Sequence, residues 1–324
     1  MNSIQKDLPP EFLERLRRIV PESRWGDVLR SFSESRATTF RVNPLKTTRD
    51  EIKEQLKKRD FAVREVAWYE DAFIFMNGQV RDLQSMEAYA RGEIYIQGLA
   101  SMLPALFLKP EAGMEVLDLA AAPGSKTTQI AAMMSGQGRL VANDNNRKRY
   151  YKLRALVKGQ GADFATLECR DGGAYGRQPE NCFDRVLLDA PCSSEARFRA
   201  GDPATYQYWR PRKIHEMAHK QRRLLEGAVR ALKPGGLCVY STCSYGPEEN
   251  EAILDFVVHK YNHSIELEDP RQWPDSPLLS LSNAVEGMPQ WEDKTFDASV
   301  TRAVRILPNE DMEGFFIACI RKLK

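Results

Sequence analysis

Residues 114–130 read MEVLDLAAAPGSKTTQI, and this stretch carries the pattern that decides the fold. The apolar run MEVLDLA (114–120) is typical of a buried strand, and small residues around Gly124 then lead into a segment of helix length. Amphipathic stretches separate it from four similar runs: GRLVAND (138–144), ATLECRD (165–171), FDRVLLDA (183–190) and GLCVYSTC (236–243). Apolar strands that alternate with helices predict an α/β domain with a mostly parallel sheet covered on both faces.

The end of this domain has a different pattern. The runs AVRILP (303–308) and GFFIACIRK (314–322) are separated by only five residues, which predicts an antiparallel hairpin at the sheet edge. Residues 262–300 are rich in Pro, Ser and Trp, and we interpret them as a loop insertion that shapes the substrate surface. The large domain is predicted to span residues 93–324.

Two smaller regions precede the large domain. Residues 1–35 form a predicted helical segment, in which apolar residues recur at helical spacing after Pro9 and Pro10. Residues 36–92 form a predicted small α+β unit: a strand (38–44), a polar helix with Thr48 as a plausible cap, and further strand-like residues up to 75.

Composition sets the class of protein. The chain has 324 residues, 42% hydrophobic and 28% charged, which is typical of a soluble globular protein. No run resembles a secretory signal or a membrane span, so a cytoplasmic protein is expected. We also expect it to be monomeric. The net charge of +2 neither demands nor excludes a polyanionic partner. Six cysteines without a C-x-x-C spacing argue against a zinc ribbon and a disulfide framework, and no metal is expected.

The loop DLAAAPGSKTTQ (118–129) is a predicted cofactor site. It has one glycine and GSKT instead of GKT, so it matches neither a dinucleotide loop nor a P-loop. Acidic residues end the first four strands, which suggests S-adenosylmethionine; any one of them could instead cap the following helix. The predicted cofactor-binding residues are Ala120, Ala121, Ala122, Pro123, Gly124, Ser125, Lys126, Asp144, Asp171 and Asp189.

Two cysteines end neighbouring predicted strands. Cys192 lies in DAPCSS (189–194) and Cys243 in STCSYGPEEN (241–250), so both should face the crevice beside Asp189. The acids after Cys243 resemble the first turn of a helix, whose positive end would lower the pKa of this thiol. The other four cysteines are interpreted as small buried hydrophobes: Cys169, Cys182, Cys238 and Cys319.

These motifs resemble the Sun/Fmu family of RNA cytosine-5 methyltransferases. The similarity rests on EVLDLAAAPGSKTTQI, LLDAPCSS and YSTCSYGPEENEAIL, and it extends through RVNPLK (41–46), YIQGLASMLP (95–104) and GFFIA (314–318). The resemblance implies a Rossmann-like, S-adenosylmethionine-dependent methyltransferase with a small N-terminal RNA-binding unit. It favours ribosomal RNA over transfer RNA as the substrate.

The resemblance also implies a role for each residue. Cys243 would be the nucleophile that adds to C6 of the target cytosine, and Cys192 would assist its release. Asp189 would stabilise the adduct at N3, either through a raised pKa or by gaining its proton as the base binds. Lys126 would lie close to cofactor and substrate, although a solvated helix lysine is the alternative.

Three departures from the family pattern fall near the expected substrate pocket. Glycines usual after the proline-cysteine pair are replaced in the segment Ser194, Glu195 and Ala196. Gly98 stands where an acid is frequent, and Asn309 stands where a histidine often follows the proline. These departures bear on the choice of RNA rather than on the chemistry.

Two other features of the sequence have both a functional and a purely structural interpretation. HEMAH (215–219) matches a zinc-peptidase pattern, but a crossover helix with a polar face is the favoured interpretation. Basic clusters at 147–158 and 209–223 could bind RNA phosphates, with Tyr150, Tyr151 and Trp209 as stacking surfaces; each is alternatively a solvated helix face. A further alternative is a ribosome-assembly or RNA-binding factor that keeps the fold without catalysis.

Overall fold

The structure is a computed structural model that describes residues 7–177 and 182–324. Residues 1–6 of the predicted helical segment therefore lie outside the described residues. This segment contains helix α1 (Pro10–Ile19), a 3₁₀ turn (Glu22–Arg24) and helix α2 (Trp25–Arg30).

The N-terminal segment is broken after α1. Val20 is extended, with φ −88° and ψ 132°, because the proline that follows it disfavours the helical conformation. The segment packs on the large domain: the ring of Phe12 lies 4.8 Å from that of Phe198, and Arg15 forms an ion pair of 2.7 Å with Glu248.

The small α+β unit has a sheet and a buried cluster of its own. A capping box joins Thr48 and Glu51 at the start of its first helix, as the cap prediction requires. The strands lie in the order β2–β3–β1–β4, all antiparallel, and β4 lies beyond the predicted boundary at residue 92. The elements are β1 (Thr38–Val42), α3 (Arg49–Lys57), β2 (Val63–Glu65), β3 (Ala72–Phe75), α4 (Val80–Gln84), α5 (Glu87–Ala90) and β4 (Ile94–Ile96).

Buried polar side chains join the small unit to the large domain. Arg41 on β1 is fully buried, and its guanidinium donates to the Gln97 side chain at 3.0 Å, to Thr128 Oγ1 at 2.7 Å and to the Ser125 carbonyl at 3.2 Å. The junction therefore ends on the helix that follows the predicted cofactor loop.

Five parallel strands form one half of the main sheet, as the apolar runs predict. Their order is β9–β8–β5–β6–β7, so the carboxyl ends of all five meet at one edge. Helix α6 (Leu99–Leu108) precedes them. The remaining elements of this half are β5 (Glu115–Asp118), α7 (Ser125–Met133), β6 (Arg139–Asn143), α8 (Arg147–Gly159), β7 (Thr166–Glu168), β8 (Phe183–Asp189), α9 (Pro211–Ala231), β9 (Leu232–Thr242) and α10 (Glu251–Lys260).

The other half of the sheet is antiparallel. The predicted hairpin is present as β14 (Val304–Ile306) and β15 (Phe315–Lys322), but β15 lies inside the sheet, between β9 and β14. The expected edge position is wrong because β11 (Ala284–Glu286) pairs with the outer side of β14. Residues 262–300 are thus part of the sheet and not only a loop insertion; they also contain β10 (Ile265–Glu268), β12 (Gln290–Trp291) and β13 (Lys294–Thr295).

A buried ion pair fixes this half of the sheet to the start of α10. Arg305 and Glu251 meet through two hydrogen bonds of 2.6 and 2.7 Å, and their side chains are 5% and 0% exposed. Arg305 also donates to the Tyr245 carbonyl at 2.9 Å. Among the described helices, none has the length and apolar character that a membrane crossing requires.

Candidate active site

A cavity of about 500 Å³ opens at the carboxyl ends of the parallel strands. Loops after β5, β6, β8 and β9 contribute its walls, as expected for a doubly wound sheet. All predicted site residues line it except Gly124: Ala120, Ala121, Ala122, Pro123, Ser125, Lys126, Asp144, Asp171, Asp189, Cys192 and Cys243. The structure thus brings together residues that are up to 123 positions apart, counting from Ala120 to Cys243.

Gly124 lies on the other side of the cofactor loop. Its φ of +117° is one that side chains rarely adopt, and a Cβ there would lie 3.0 Å from Leu153 and 3.2 Å from Leu156. The glycine therefore permits the turn and the close packing of α7 against α8, while its neighbours face the cavity.

The strand-end acids have different surroundings. Asp144 is 3% exposed, and it accepts from the amides of Ala122 at 3.3 Å and Asn146 at 2.9 Å. Burial raises the pKa of Asp118 to about 7, although Thr127 Oγ1 donates to its carboxyl group at 2.6 Å. Asp171 is exposed and pairs with Arg223 at 2.7 Å.

Lys126 is buried in the cavity wall, so the alternative of a solvated helix lysine is wrong. Only 5% of the residue is exposed, and its ammonium group donates to Asp189 Oδ2 at 2.6 Å and to Ser101 Oγ at 2.8 Å. It also lies 5.3 Å from the ring centre of Phe315. Ser241 Oγ donates to the other oxygen of Asp189 at 2.9 Å.

The two predicted cysteines are in direct contact. Their Sγ atoms lie 3.2 Å apart, Cys243 is 8% exposed, and Cys192 is half-buried. A hydrogen bond from Cys192 and, to a smaller extent, the charge of Arg197 lower the pKa of Cys243 to about 7. The same contact raises the pKa of Cys192 well above its usual value. One thiol is therefore prepared to lose its proton while its neighbour keeps its own.

The helix start predicted beside Cys243 is not the cause of the lowered pKa of this thiol. Glu248 and Glu249 lie in a 3₁₀ turn (Pro247–Glu249), and α10 begins only at Glu251. Sequence reasoning missed Arg197, the first cation after the proline-cysteine pair, because its relation to Cys243 depends on the fold.

Among the other cysteines, Cys169 is exposed and Cys182 half-buried, so the buried interpretation fails for Cys169.

Two buried acids hold the cysteine loops together. Glu249 accepts from the Ser193 amide at 2.9 Å, from Gln221 at 3.0 Å and from Ser244 Oγ at 2.6 Å. Glu195 accepts from the Tyr245 amide at 2.8 Å and from the Gly246 amide at 3.0 Å. Burial raises the pKa of both groups, that of Glu249 to about 7.

The departures from the family pattern have local structural explanations. Ser194 has φ +61° and ψ 30°, a left-handed conformation that glycine adopts more readily. A Cβ at Gly98 would lie 2.5 Å from Glu313 Oε1, so an acid from another part of the chain occupies that space. Asn309 Oδ1 accepts from the amides of Asp311 and Met312 and closes the turn before β15.

One of the three residues predicted to stack on nucleobases is buried. Trp209 is 5% exposed and donates its indole N–H to Glu195 Oε1 at 2.9 Å, so it cannot stack on a nucleobase. Tyr151 is 47% exposed on the basic helix α8, with Tyr150 beside it.

The histidines of the zinc-peptidase pattern, His215 and His219, are exposed on α9. Across residues 7–177 and 182–324, no group of three metal-ligating side chains could hold an ion.

Comparison with known proteins adds to this geometry. The family model described as 16S rRNA methyltransferase RsmB/F matches residues 105–321, which is more than half of the chain. The chain belongs to this family. The N-terminal domain of 16S rRNA methyltransferase RsmF also matches, over residues 8–99. The family prediction and the Rossmann-like fold are therefore confirmed, and the protein is placed among RNA methyltransferases.

Individual members are similar along most of the chain. A tRNA (cytosine(49)-C(5))-methyltransferase of Pyrococcus abyssi is 36% identical, with 88% of each chain covered. Ribosomal RNA small subunit methyltransferase F of Serratia proteamaculans is 35% identical over 97% of this chain, which spans 63% of that relative's length. A solved methyltransferase homolog from Pyrococcus horikoshii has a TM-score of 0.76 and 29% identity, covering 98% of this chain and all of the other.

Proposed function

We propose that the protein transfers a methyl group from S-adenosylmethionine to C5 of a cytosine in structured RNA, through an adduct between Cys243 and C6. The observation that carries this proposal is the contact between two thiols, of which Cys243 has a lowered pKa and Cys192 a raised pKa. Cytosine C5 is a poor nucleophile until a thiolate adds at C6, because the addition makes C5 equivalent to a carbanion. A binding factor without catalysis has no need for such a thiol pair.

The residues around the thiols support separate steps. The Cys243 sulfur forms the bond to C6, and Asp189 is placed to interact with N3, where Lys126 and Ser241 fix its orientation. After methylation the proton on C5 passes to solvent water, its bonding electrons form the C5=C6 double bond, and the electrons of the sulfur–C6 bond return to Cys243 as a thiolate. The Cys192 thiol keeps its own proton and can donate a hydrogen bond to the leaving Cys243 sulfur, which suits a residue that assists this release.

The cofactor half of the cavity suits a nucleoside with a charged tail. The Asp144 carboxylate ends β6, where it can accept from ribose hydroxyls, and the small residues from Ala120 to Pro123 leave backbone accessible at the start of α7. S-adenosylmethionine supplies an electrophilic methyl group on a sulfonium ion. Lys126 and Asp189 line the same cavity as the cofactor loop and the cysteines, so this cavity can hold both reactants.

Ribosomal RNA is the substrate class that we favour. Both matched family models describe 16S rRNA methyltransferases, and together they cover nearly the whole chain. Because one similar protein is a tRNA methyltransferase, transfer RNA is the alternative substrate class that the experiment below must distinguish. The target base must leave its stack to reach thiols at the edge of a sheet, so a loop or a flipped base is expected. The residues 36–92 are proposed to help bind the RNA.

The test is capture of the covalent intermediate. Cys192→Ala, expressed in cells, is expected to accumulate a protein–RNA adduct on a denaturing gel, because release is impaired after the methyl transfer. Cys192→Ala/Cys243→Ala should give none, and Cys169→Ala, which removes an exposed thiol elsewhere, should behave like the unaltered protein. Sequencing the attached RNA identifies its class. Adduct formation in the double variant would refute the assignment of Cys243.

A further inference from the structure

Arg197 lines the cavity that contains both cysteines. Its side chain is exposed in the same cavity as Cys243 and Asp189. Of the four other cations that line this cavity, three are paired with acids: Lys126 with Asp189, Arg149 with Asp144 and Arg223 with Asp171. The fourth, Lys220, is exposed on α9 and has no ion pair among the described residues. In the described parts of the chain, the Arg197 guanidinium has neither an ion pair nor a hydrogen bond.

The position of Arg197 is fixed by the backbone. The amide of the preceding residue, Ala196, donates to the Cys243 carbonyl at 3.0 Å, and the Arg197 amide donates to the Ser194 carbonyl at 2.9 Å. Glu195, which is 2% exposed, anchors this 3₁₀ turn to the loop after Cys243. Buried structure therefore fixes the main chain of Arg197 against the loop that carries Cys243, and its guanidinium, with free donors, lines the same cavity as the sulfur.

We propose that Arg197 is a further catalytic residue, whose guanidinium stabilises the Cys243 thiolate and then donates to the C2 carbonyl oxygen of the target cytosine. This inference rests on the function proposed above. As sulfur adds to C6, electron density moves through the ring toward N3 and this oxygen, and no group is oxidised or reduced. Arg197 gives up no proton; its guanidinium N–H groups donate hydrogen bonds to the C2 oxygen, where negative charge develops.

The chemistry of cytosine selects the C2 carbonyl. With Cys243 at C6 and Asp189 at N3, a residue beside both groups faces one of two ring edges. One edge presents the N4 amino group, a donor, and the other presents the C2 oxygen, an acceptor. A guanidinium has no acceptor, so only the C2 oxygen is complementary to it.

The groups that face these side chains define the expected pH behaviour. Cys243 is faced by Cys192, Asp189, Ser194 and Arg197, and Arg197 is faced in turn by Glu313. Cys192 acts on the pKa of Cys243 more strongly than Arg197 does. Removing Arg197 should therefore weaken the thiolate without abolishing it.

Alkylation of the protein without RNA tests the first part of the proposal. Arg197→Met should slow the reaction of iodoacetamide with Cys243 at pH 7 by about three- to tenfold, and should shift its pH midpoint upward. Mass spectrometry of the Cys243 peptide separates this thiol from the others. Arg139→Met is the matched control, since this arginine begins β6 at the opposite edge of the sheet. An unchanged midpoint in Arg197→Met would overturn the proposal.

Steady-state methylation of the RNA identified by adduct capture tests the second part. Arg197→Met should lower kcat at least tenfold with KM for RNA within about twofold, because the contact strengthens as charge develops on the base. A raised KM with unchanged kcat would make Arg197 an ordinary RNA-binding cation and refute the base contact. If the unaltered protein methylates no RNA, the proposed function fails, while the alkylation result still decides the role of Arg197 at the thiolate.

Discussion

Loss of Arg305 should destabilise the protein far more than loss of an exposed arginine close to it. Arg305→Met leaves the Glu251 carboxylate without its two strong hydrogen bonds, in a place where none of the side chain is exposed. Removing one partner of a buried ion pair costs about 3–5 kcal/mol, because the remaining charge is desolvated and uncompensated. The free energy of unfolding, measured by urea denaturation, should fall by that amount.

The neighbouring pair Arg302–Glu266 is the matched control. Its side chains are 43% and 53% exposed, so Arg302→Met should cost at most about 1 kcal/mol. Arg305→Met/Glu251→Leu should recover much of the loss, because no buried charge is then left unpaired. If Arg305→Met costs as little as Arg302→Met, the ion pair is not a buried stabilising contact and the reasoning is refuted.

Two further predictions concern the cysteine loops. Alkylation of Cys243 should slow as the pH falls through about 7, because the reactive thiolate becomes protonated. Cys192→Ala should move the inflection of this pH profile to higher pH, because it removes the hydrogen-bond donor to Cys243. An inflection that stays in place would contradict the role given to Cys192. Ser194→Gly should raise the free energy of unfolding by about 1 kcal/mol, since glycine adopts the left-handed conformation without steric cost, and urea denaturation that shows no gain would contradict this.

The parallel half of the fold was predictable because each strand is a continuous apolar run. Burial on both faces of a parallel sheet requires such runs, and helices of adequate length separate them. The antiparallel half was harder to predict. β11, β12 and β13 have only two or three residues, and their positions depend on pairing with distant strands, which a local pattern does not record.

The site was predictable where function depends on residue type and chain order. Cys192, Cys243 and the cofactor loop follow strands, so the topology alone brings them to one edge. The roles of Glu249 and Trp209 were not predictable, because each is decided by burial: an acid expected in the first turn of a helix is instead enclosed by Ser193, Gln221 and Ser244. Long-range hydrogen bonds of this kind have no sequence period.

The buried guanidinium of Arg41 limits how the protein can move. A hinge between the small unit and the large domain would have to break the hydrogen bonds from this charge to Thr128 and the Ser125 carbonyl and leave only the bond to Gln97, at a cost of about 1.5–3 kcal/mol for each bond lost. Asn43 and Lys46 add bonds to the carbonyls of Gln160 and Gly159 across the same junction. The two parts therefore form a rigid template, and the distortion needed to bring a recessed base to Cys243 falls on the nucleic acid.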